Sequence, residues 1–354
     1  MPEALFLKSL EIHRFRAFDH LSIERLGRVN LIVGKNNVGK SSLLEALWLY
    51  AYQGHPSIVW KILEFRDEGR GPESQPQLRP PERDDVIEDY SESVERLFHH
   101  DMKERQMFRT QIGPVRPAEK ILTISLTNEI DHKTGELRPL IRTQLNGRVE
   151  DYRLNIGTYR LRDGNGENCV MVTANGLDDR SVEKLWDSVA LTPLEDDVVN
   201  ALRLIAKNVE RINLLARRRG RSGRTPVVKV SGVSDPVPLR SLGEGMNRIF
   251  GLALALVSAK DGVLLIDEIE SGLHYSVQPD VWSLVFEVAH RLNIQVFATT
   301  HSWDCLTAFQ EAAKKYEQDE GVLIRLTQKE GQIIVDMFDE EDLEVVAREG
   351  IEVR

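Results

Sequence analysis

The stretch "GKNNVGKS", Gly34 to Ser41, limits what this chain can fold into more than any other part of it. It fits G-x-x-x-x-G-K-[ST], follows the apolar run "VNLIVG" and leads into the helix-like "SSLLEALWLYAY". Strand, glycine loop and helix in that order make a phosphate cradle, because glycines admit the tight turn and N–H groups at the helix start face the anion. The expectation is an α/β protein with this unit at a nucleotide site. Gly34, Asn36, Asn37, Gly39 and Ser42 would line the phosphates, Lys40 would reach the β- and γ-phosphates, and the Ser41 hydroxyl would bind Mg²⁺.

Two later strands carry chemistry to match. "GVLLIDEIESGLH" is an apolar strand delivering Asp267 and Glu268 at its C-terminal end, the edge at which ligands of open α/β sheets sit. Asp267 is expected to hold the Mg²⁺ shell, and Glu268 to orient or deprotonate the attacking water. "VFATTHSW" ends at His301, whose imidazole would touch the γ-phosphate or that water. Lys40, Glu268 and His301 are thus the expected catalytic residues. A second turn, "SLGEG" at 241–245, opens the apolar helix "MNRIFGLALAL". Its Ser241 hydroxyl and the N–H groups around Gly243 and Gly245 suit phosphate, and the helix points its positive end at them.

Elsewhere the chain alternates strand and helix. Residues 66–84 are rich in Pro, Gly and charge and read as a mobile excursion. From about Ile121 to Thr173 the pattern is β, and "VVNALRLIAKNVERINLLA" reads as one amphipathic helix. The final third alternates again, with a helix from about Ser276 to Leu292 and a terminal hairpin. The expected division is a core made of residues 1–55 and 225–354, with 56–224 as an inserted α/β lobe.

Together the motifs resemble the ABC-type ATPases, in particular the soluble branch with RecF, SMC proteins and the OLD-type and AbiEii-like ATPases of bacterial defence operons. The resemblance rests on "FRAF" at 15–18, the Walker A loop at 34–41, "SLGEG" at 241–245, the Walker B strand at 263–268, "ESGLH" at 270–274 and "TTHS" at 299–302. It implies a P-loop NTPase of ABC type with a mixed sheet and an N-terminal β element, and ATP and Mg²⁺ as cofactors. It also implies a head-to-tail homodimer in which SLGEG meets the nucleotide held by the other subunit. The leucine between Ser241 and Gly243 departs from the family's LSGGQ form and leaves open which atom meets phosphate. Arg16 matches an arginine that such proteins place near the nucleotide. A glutamine between Walker A and the signature is also implied, with Gln106, Gln111 and Gln144 as candidates.

The long interval between Walker A and SLGEG argues against a transporter subunit. Its lack of heptads argues against long coiled-coil arms. Only 53 residues follow His301 in the 354-residue chain, too few for an added nuclease domain, and "DMFDEEDLE" reads as an acidic helix start. The resemblance to Septu- and PARIS-type ATPase subunits implies regulation of a separately encoded effector, a nuclease in phage defence. A RecF-like DNA clamp and a low-turnover nucleotide-dependent scaffold are the rival readings.

Charge sharpens the DNA question. With 46 basic and 56 acidic residues the chain carries a net charge of −10, so nucleic acid must be met by a local patch. "RRRGRSGR" at 217–224 offers Arg217, Arg218, Arg219, Arg221 and Arg224. It suits phosphate contact, but equally a solvated turn or an acidic partner. Cys169 and Cys305 lack metal spacing and read as buried, reduced thiols. His99 and His100 lack zinc-spaced partners. No apolar run resembles a signal peptide or a membrane span, so a cytoplasmic location is expected.

Overall fold

The computed structural model describes residues 5–69, 84–99, 108–130, 135, 137–154, 166–216, 223–316 and 320–338. Strands β1 (Leu10–Phe15) and β2 (Phe18–Ile23) form a hairpin, and β3 (Val29–Val33) runs through the glycine loop into α1 (Lys40–Ala51). Helices α2 (Pro56–Phe65) and α3 (Asp84–Glu95) precede the strands β4 (Arg109–Gly113), β5 (Leu122–Ile130), β6 (Leu137–Leu145) and β7 (Arg148–Arg153). Next come β8 (Cys169–Val172), α4 (Asp179–Val189), α5 (Leu194–Leu202), β9 (Val209–Ala216), β10 (Arg224–Val230) and β11 (Val237–Pro238). The last third alternates α6 (Glu244–Ser258), β12 (Val263–Ile266), α7 (Gln278–Arg291), β13 (Gln295–Thr299) and α8 (Trp303–Ala313), and ends in the hairpin β14 (Gly321–Lys329) and β15 (Gln332–Phe338).

The central sheet has the order β15-β14-β3-β13-β12-β8. Its five inner and β8-side strands run parallel, and only β15 is antiparallel. Period-2 alternation divides the side chains of these strands between two cores. Leu31, Leu264, Ile266, Val296 and Ala298 face a core shared with α4 to α8. Ile32, Val263, Leu265 and Phe297 face the other, shared with α1, α2 and the N-terminal hairpin. Because both faces are covered, β3, β12 and β13 are buried along their whole length. Their C-terminal ends, next to one another in the sheet, are where the three expected motifs emerge.

One expectation is corrected. The stretch expected as one helix is α5 followed by strand β9. In β9 Ile212 and Leu214 alternate inward and the whole strand pairs with β10, so cross-strand pairing overrides the helical spacing read from the sequence. The 56–224 interval shares sheets with the two end segments. Strands β4 to β7 continue the sheet β2-β1-β4-β5-β6-β7, and β8 forms the edge of the central sheet. The physical cause is that β1 and β12 each need a hydrogen-bonding neighbour on the edge that the proposed core leaves open, and the 56–224 interval supplies it.

Most of the excursion at 66–84 lies outside the described residues, as do Gln106, His100 and Arg217, Arg218, Arg219 and Arg221. In "DMFDEEDLE" the first three residues belong to strand β15 rather than to a helix, and the rest lie outside the described residues. Both cysteines are buried and reduced. No helix among the described residues is long and apolar enough to cross a membrane.

Candidate functional site

The phosphate loop begins where β3 ends. Gly34 has φ +147, and a Cβ there would stand 2.4 Å from the Leu326 carbonyl oxygen, so only glycine fits. Gly39 has φ +92, caps α1 without a side-chain hydrogen bond, and has the Phe18 ring where a Cβ would project. The uncapped first turn of α1 therefore presents its N–H groups to whatever enters the loop. Asn36 and Asn37 are exposed on the loop's rim, Asn37 with φ +67. Lys40 Nζ donates to the carbonyls of Gly34 (2.7 Å) and Lys35 (3.0 Å), which holds the ammonium inside the loop. Burial pulls its pKa below the ordinary lysine value, while Asp267, Glu268 and Glu270 act in the opposite direction.

Asp267 stands across from the loop. Its carboxylate accepts from Ser41 Oγ at 3.0 Å and from Thr299 Oγ1 at 2.6 Å. An octahedral Mg²⁺ with oxygen ligands at about 2.0–2.1 Å needs adjacent ligands about 2.9 Å apart. The Ser41–Asp267 spacing fits that demand, and the donor set is all oxygen. Lys40, Ser41 and Asp267 are thus brought together as expected.

Glu268 is half-exposed and holds φ +48, a conformation that an L-residue keeps only when its neighbours fix it. Two contacts fix it. Its N–H donates to Thr299 Oγ1 at 2.9 Å, and its carbonyl accepts from Arg248 Nη2 at 2.8 Å. His301 Nδ1 is 3.7 Å from Glu268 Oε1 and 3.2 Å from Glu270 Oε1. Glu270 also accepts the His301 backbone N–H at 3.0 Å. A crevice lined by Gly34, Thr300, His301 and Trp303 runs beside the loop.

Three residues that position this machinery were not singled out from the sequence. Thr299 bridges Asp267 to the Glu268 backbone. Glu270, a buried carboxylate, orients His301. Arg248, one turn into α6, donates through Nη1 to Thr173 O (3.0 Å) and Ala174 O (3.3 Å) and through Nη2 to Asp267 O (3.3 Å) and Glu268 O. It is only 9% exposed, and burial pulls its pKa down against Glu270, Asp267 and Glu268. The available signal was an arginine inside the apolar run "MNRIFGLALAL". Such a side chain is kept where most of its donors are paired, and here both Nη atoms donate while the buried Nε has no partner.

Other expected residues stand elsewhere. Arg16 is buried and pairs with Glu45 (2.6 Å) and with Glu68 (2.8 Å). Ser42 is 5% exposed and accepts from Arg66 Nη2, which also pairs with Glu45. The Ser42 N–H still belongs to the open first turn of α1, and the Arg16 guanidinium is held by carboxylates. Ser241 to Glu244 are exposed, the Ser241 hydroxyl donating to Pro238 O, and Gly243 has φ +103. Gly245 lies beside the Gly272 carbonyl. Gln111 donates across strands to Thr123, and Gln144 is exposed on β6. Arg224 is held by Asp187 at 2.7 Å on both oxygens, which withdraws it from the expected basic patch.

The charge on Glu270 yields a first expected result. Glu270→Gln keeps an acceptor for the His301 N–H but replaces a charge-assisted contact to the ring with a neutral one. That difference is about 1–2 kcal/mol. Steady-state hydrolysis by the variant should fall by about 5–30-fold in kcat with KM little changed, and an unaltered kcat would show that Glu270 does not orient His301.

The chain is similar to several known proteins. Residues 198–304 match the family described as "AAA domain, putative AbiEii toxin, Type IV TA system", and residues 6–64 match "AAA ATPase domain". An ATP/GTP phosphatase of Helicobacter pylori is 23% identical over 87% of this chain and 89% of its own length. RecF of Clostridioides difficile, a DNA replication and repair protein, is 41% identical over 46 residues, 13% of this chain and 12% of RecF. Among solved structures, an Smc head bound to the C-terminal winged-helix domain of ScpA has a TM-score of 0.52 at 12% identity, covering 96% of this chain and 99% of its own. An Smc head with an extended coiled coil from Pyrococcus furiosus, bound to the C-terminal domain of ScpA, has a TM-score of 0.51 at 11% identity, covering 97% and 99%. The fold, α/β with a mixed sheet, is that of these Smc heads.

Proposed function

We propose that this protein hydrolyses ATP at a Mg²⁺-dependent site shared between two copies of the chain, and that the resulting cycle regulates a separately encoded effector, a nuclease in anti-phage defence. The observation that carries the reading is the convergence of Lys40, Ser41, Asp267, Glu268 and His301 at the ends of three adjacent parallel strands. In this reading the loop amides and Lys40 bind the β- and γ-phosphates. Ser41 and Asp267 would hold Mg²⁺, which supplies charge neutralisation at the phosphates. Glu268 takes the proton of the attacking water, and His301, aimed by Glu270, donates to the γ-phosphate.

The exposed SLGEG loop supports the shared site. Ser241, Gly243 and Gly245 stand at the uncapped start of α6, turned to solvent, which suits phosphate brought by a second copy. Arg248 on the same helix grips the backbone of Asp267 and Glu268, so engagement of the loop would be felt at the base. The relative described as an ATP/GTP phosphatase supports hydrolysis, and the match to the AbiEii-type description supports a role in bacterial conflict systems. A DNA clamp is favoured by the RecF match alone, since Arg224 is engaged within the chain.

The test is the mass in solution of Glu268→Gln expressed with its native neighbouring genes, with and without Mg²⁺–ATP. A doubling with ATP and a co-purifying second chain are the expected results. A monomer that binds ATP without change of mass would remove the shared site, and duplex DNA binding dependent on ATP and on residues 217–221 would favour the clamp.

A further inference from the structure

We propose that the β1–β2 hairpin carries a second metal site, for a divalent transition-metal ion with zinc foremost, formed by Glu11, His13 and His20. The strands' own period puts the three on one face. Leu10 and Ile12 point into the core, so Glu11 and His13 point away from it. On the facing strand Leu21 and Ile23 are buried, so His20 points away as well. His13 is paired directly with His20 in the register of the hairpin, and their rings stack with centroids 4.4 Å apart at 12°.

The donor atoms of the three side chains lie close together. His13 Nε2 lies 3.3 Å from Glu11 Oε1, and His20 Nε2 lies 3.1 Å from the same oxygen. Among the described residues this is the only group of three such side chains whose ligand atoms all lie within 4.8 Å of one another. Tetrahedral zinc with Zn–N and Zn–O near 2.0–2.1 Å requires ligand atoms about 3.3 Å apart. The two separations from Glu11 Oε1 are close to that value, and binding would turn the stacked rings so that both Nε2 lone pairs aim at one ion.

The chemistry separates this site from the nucleotide site. Two imidazoles and one carboxylate are borderline-soft donors that suit zinc, copper or nickel, whereas the all-oxygen pair Ser41 and Asp267 suits Mg²⁺. The donors stand on a rigid base, because β1 is hydrogen-bonded on both edges, to β2 and to β4. His13 and His20 are 39% and 52% exposed in their side chains, which leaves a path for entry and a fourth position for water. A metal there would clip β1 to β2, and Phe18 on this hairpin packs against Gly39 of the phosphate loop. The site would thereby brace the wall behind the loop.

The test uses the full chain, freed of metal with a chelator and held without nucleotide, titrated with ZnCl₂ by calorimetry. Wild type should bind an equivalent of zinc that His13→Ala and His20→Ala each weaken by more than about tenfold, since loss of even an outer partner of a metal ligand costs about 10–100-fold. Glu11→Gln should weaken it less, and His301→Ala should leave it unchanged. Far-UV circular dichroism of the metal-free proteins checks folding. His20→Asn, at the most exposed of the three positions, serves if His13→Ala fails to fold. Zinc binding unaltered in the His13→Ala/His20→Ala double variant, binding lost with His301→Ala, or no bound equivalent in wild type would each overturn the proposal.

Discussion

Glu268→Gln should hydrolyse ATP about 10²–10⁴ times more slowly than wild type, the usual worth of a positioned general base, while binding ATP as well as wild type does. The substitution is nearly isosteric, and the backbone that aims the side chain does not depend on its charge. The left-handed φ of Glu268 is held by Thr299 Oγ1 and Arg248 Nη2, both acting on main-chain atoms. The carboxylate itself is half-exposed at the mouth of the site, so no buried group loses a partner. What disappears is proton acceptance from the attacking water. Radiolabelled ATP turnover and equilibrium nucleotide binding on the same preparation check the two halves of the expectation. A variant that turns over as fast as wild type would remove Glu268 from the base role, and one that no longer binds ATP would place it in binding instead.

Arg248→Ala should be the most destabilising single change at the site, by about 3–5 kcal/mol. Four carbonyl oxygens, on Thr173, Ala174, Asp267 and Glu268, lose a buried charged donor, although Thr173 O keeps the bond from the Gly176 N–H, and each acceptor left unsatisfied costs about 1–3 kcal/mol before water relieves part of it. The guanidinium's planar fork reaches both β8 and β12 at once, which an ammonium cannot do. Arg248→Lys should therefore recover only part of the stability. Hydrolysis should fall in both variants even below the unfolding transition, because the φ of Glu268 would relax. Urea unfolding monitored by circular dichroism, with turnover measured at low urea, tests this. A loss below about 1 kcal/mol for the alanine variant would show that the carbonyls find water and that the clamp is dispensable.

The contrast between Arg248 and Arg16 shows how far the sequence could be read. Both are arginines near motif residues. The resemblance puts Arg16 near the nucleotide, and in the fold its guanidinium is held by Glu45 and Glu68. Arg248 attracted no role, yet it ties the helix after SLGEG to the backbone of Asp267 and Glu268. Glu270 and Thr299 lay inside motifs that were recognised, but their partners, His301 and Asp267, are 31 and 32 residues away along the chain. Spacing within a motif does not report such pairs. The zinc-type triad was missed for the same reason, as His13 and His20 become neighbours only once the hairpin register is set.

The sequence by itself determined the phosphate loop, the two carboxylates at the end of β12 and the histidine after β13. Each is a local pattern in which an apolar strand, a turn and a reactive side chain follow one another along the backbone, and local sterics suffice to place them at strand ends. Only the tertiary structure decided that these ends are adjacent, with Ser41 and Asp267 in contact across 226 residues. It also decided that β4 to β8 belong to shared sheets, and that β9 is a strand. Sheet neighbours are chosen by which exposed edge each strand can satisfy and which core face it can bury. Those are properties of the whole chain, absent from any window of it.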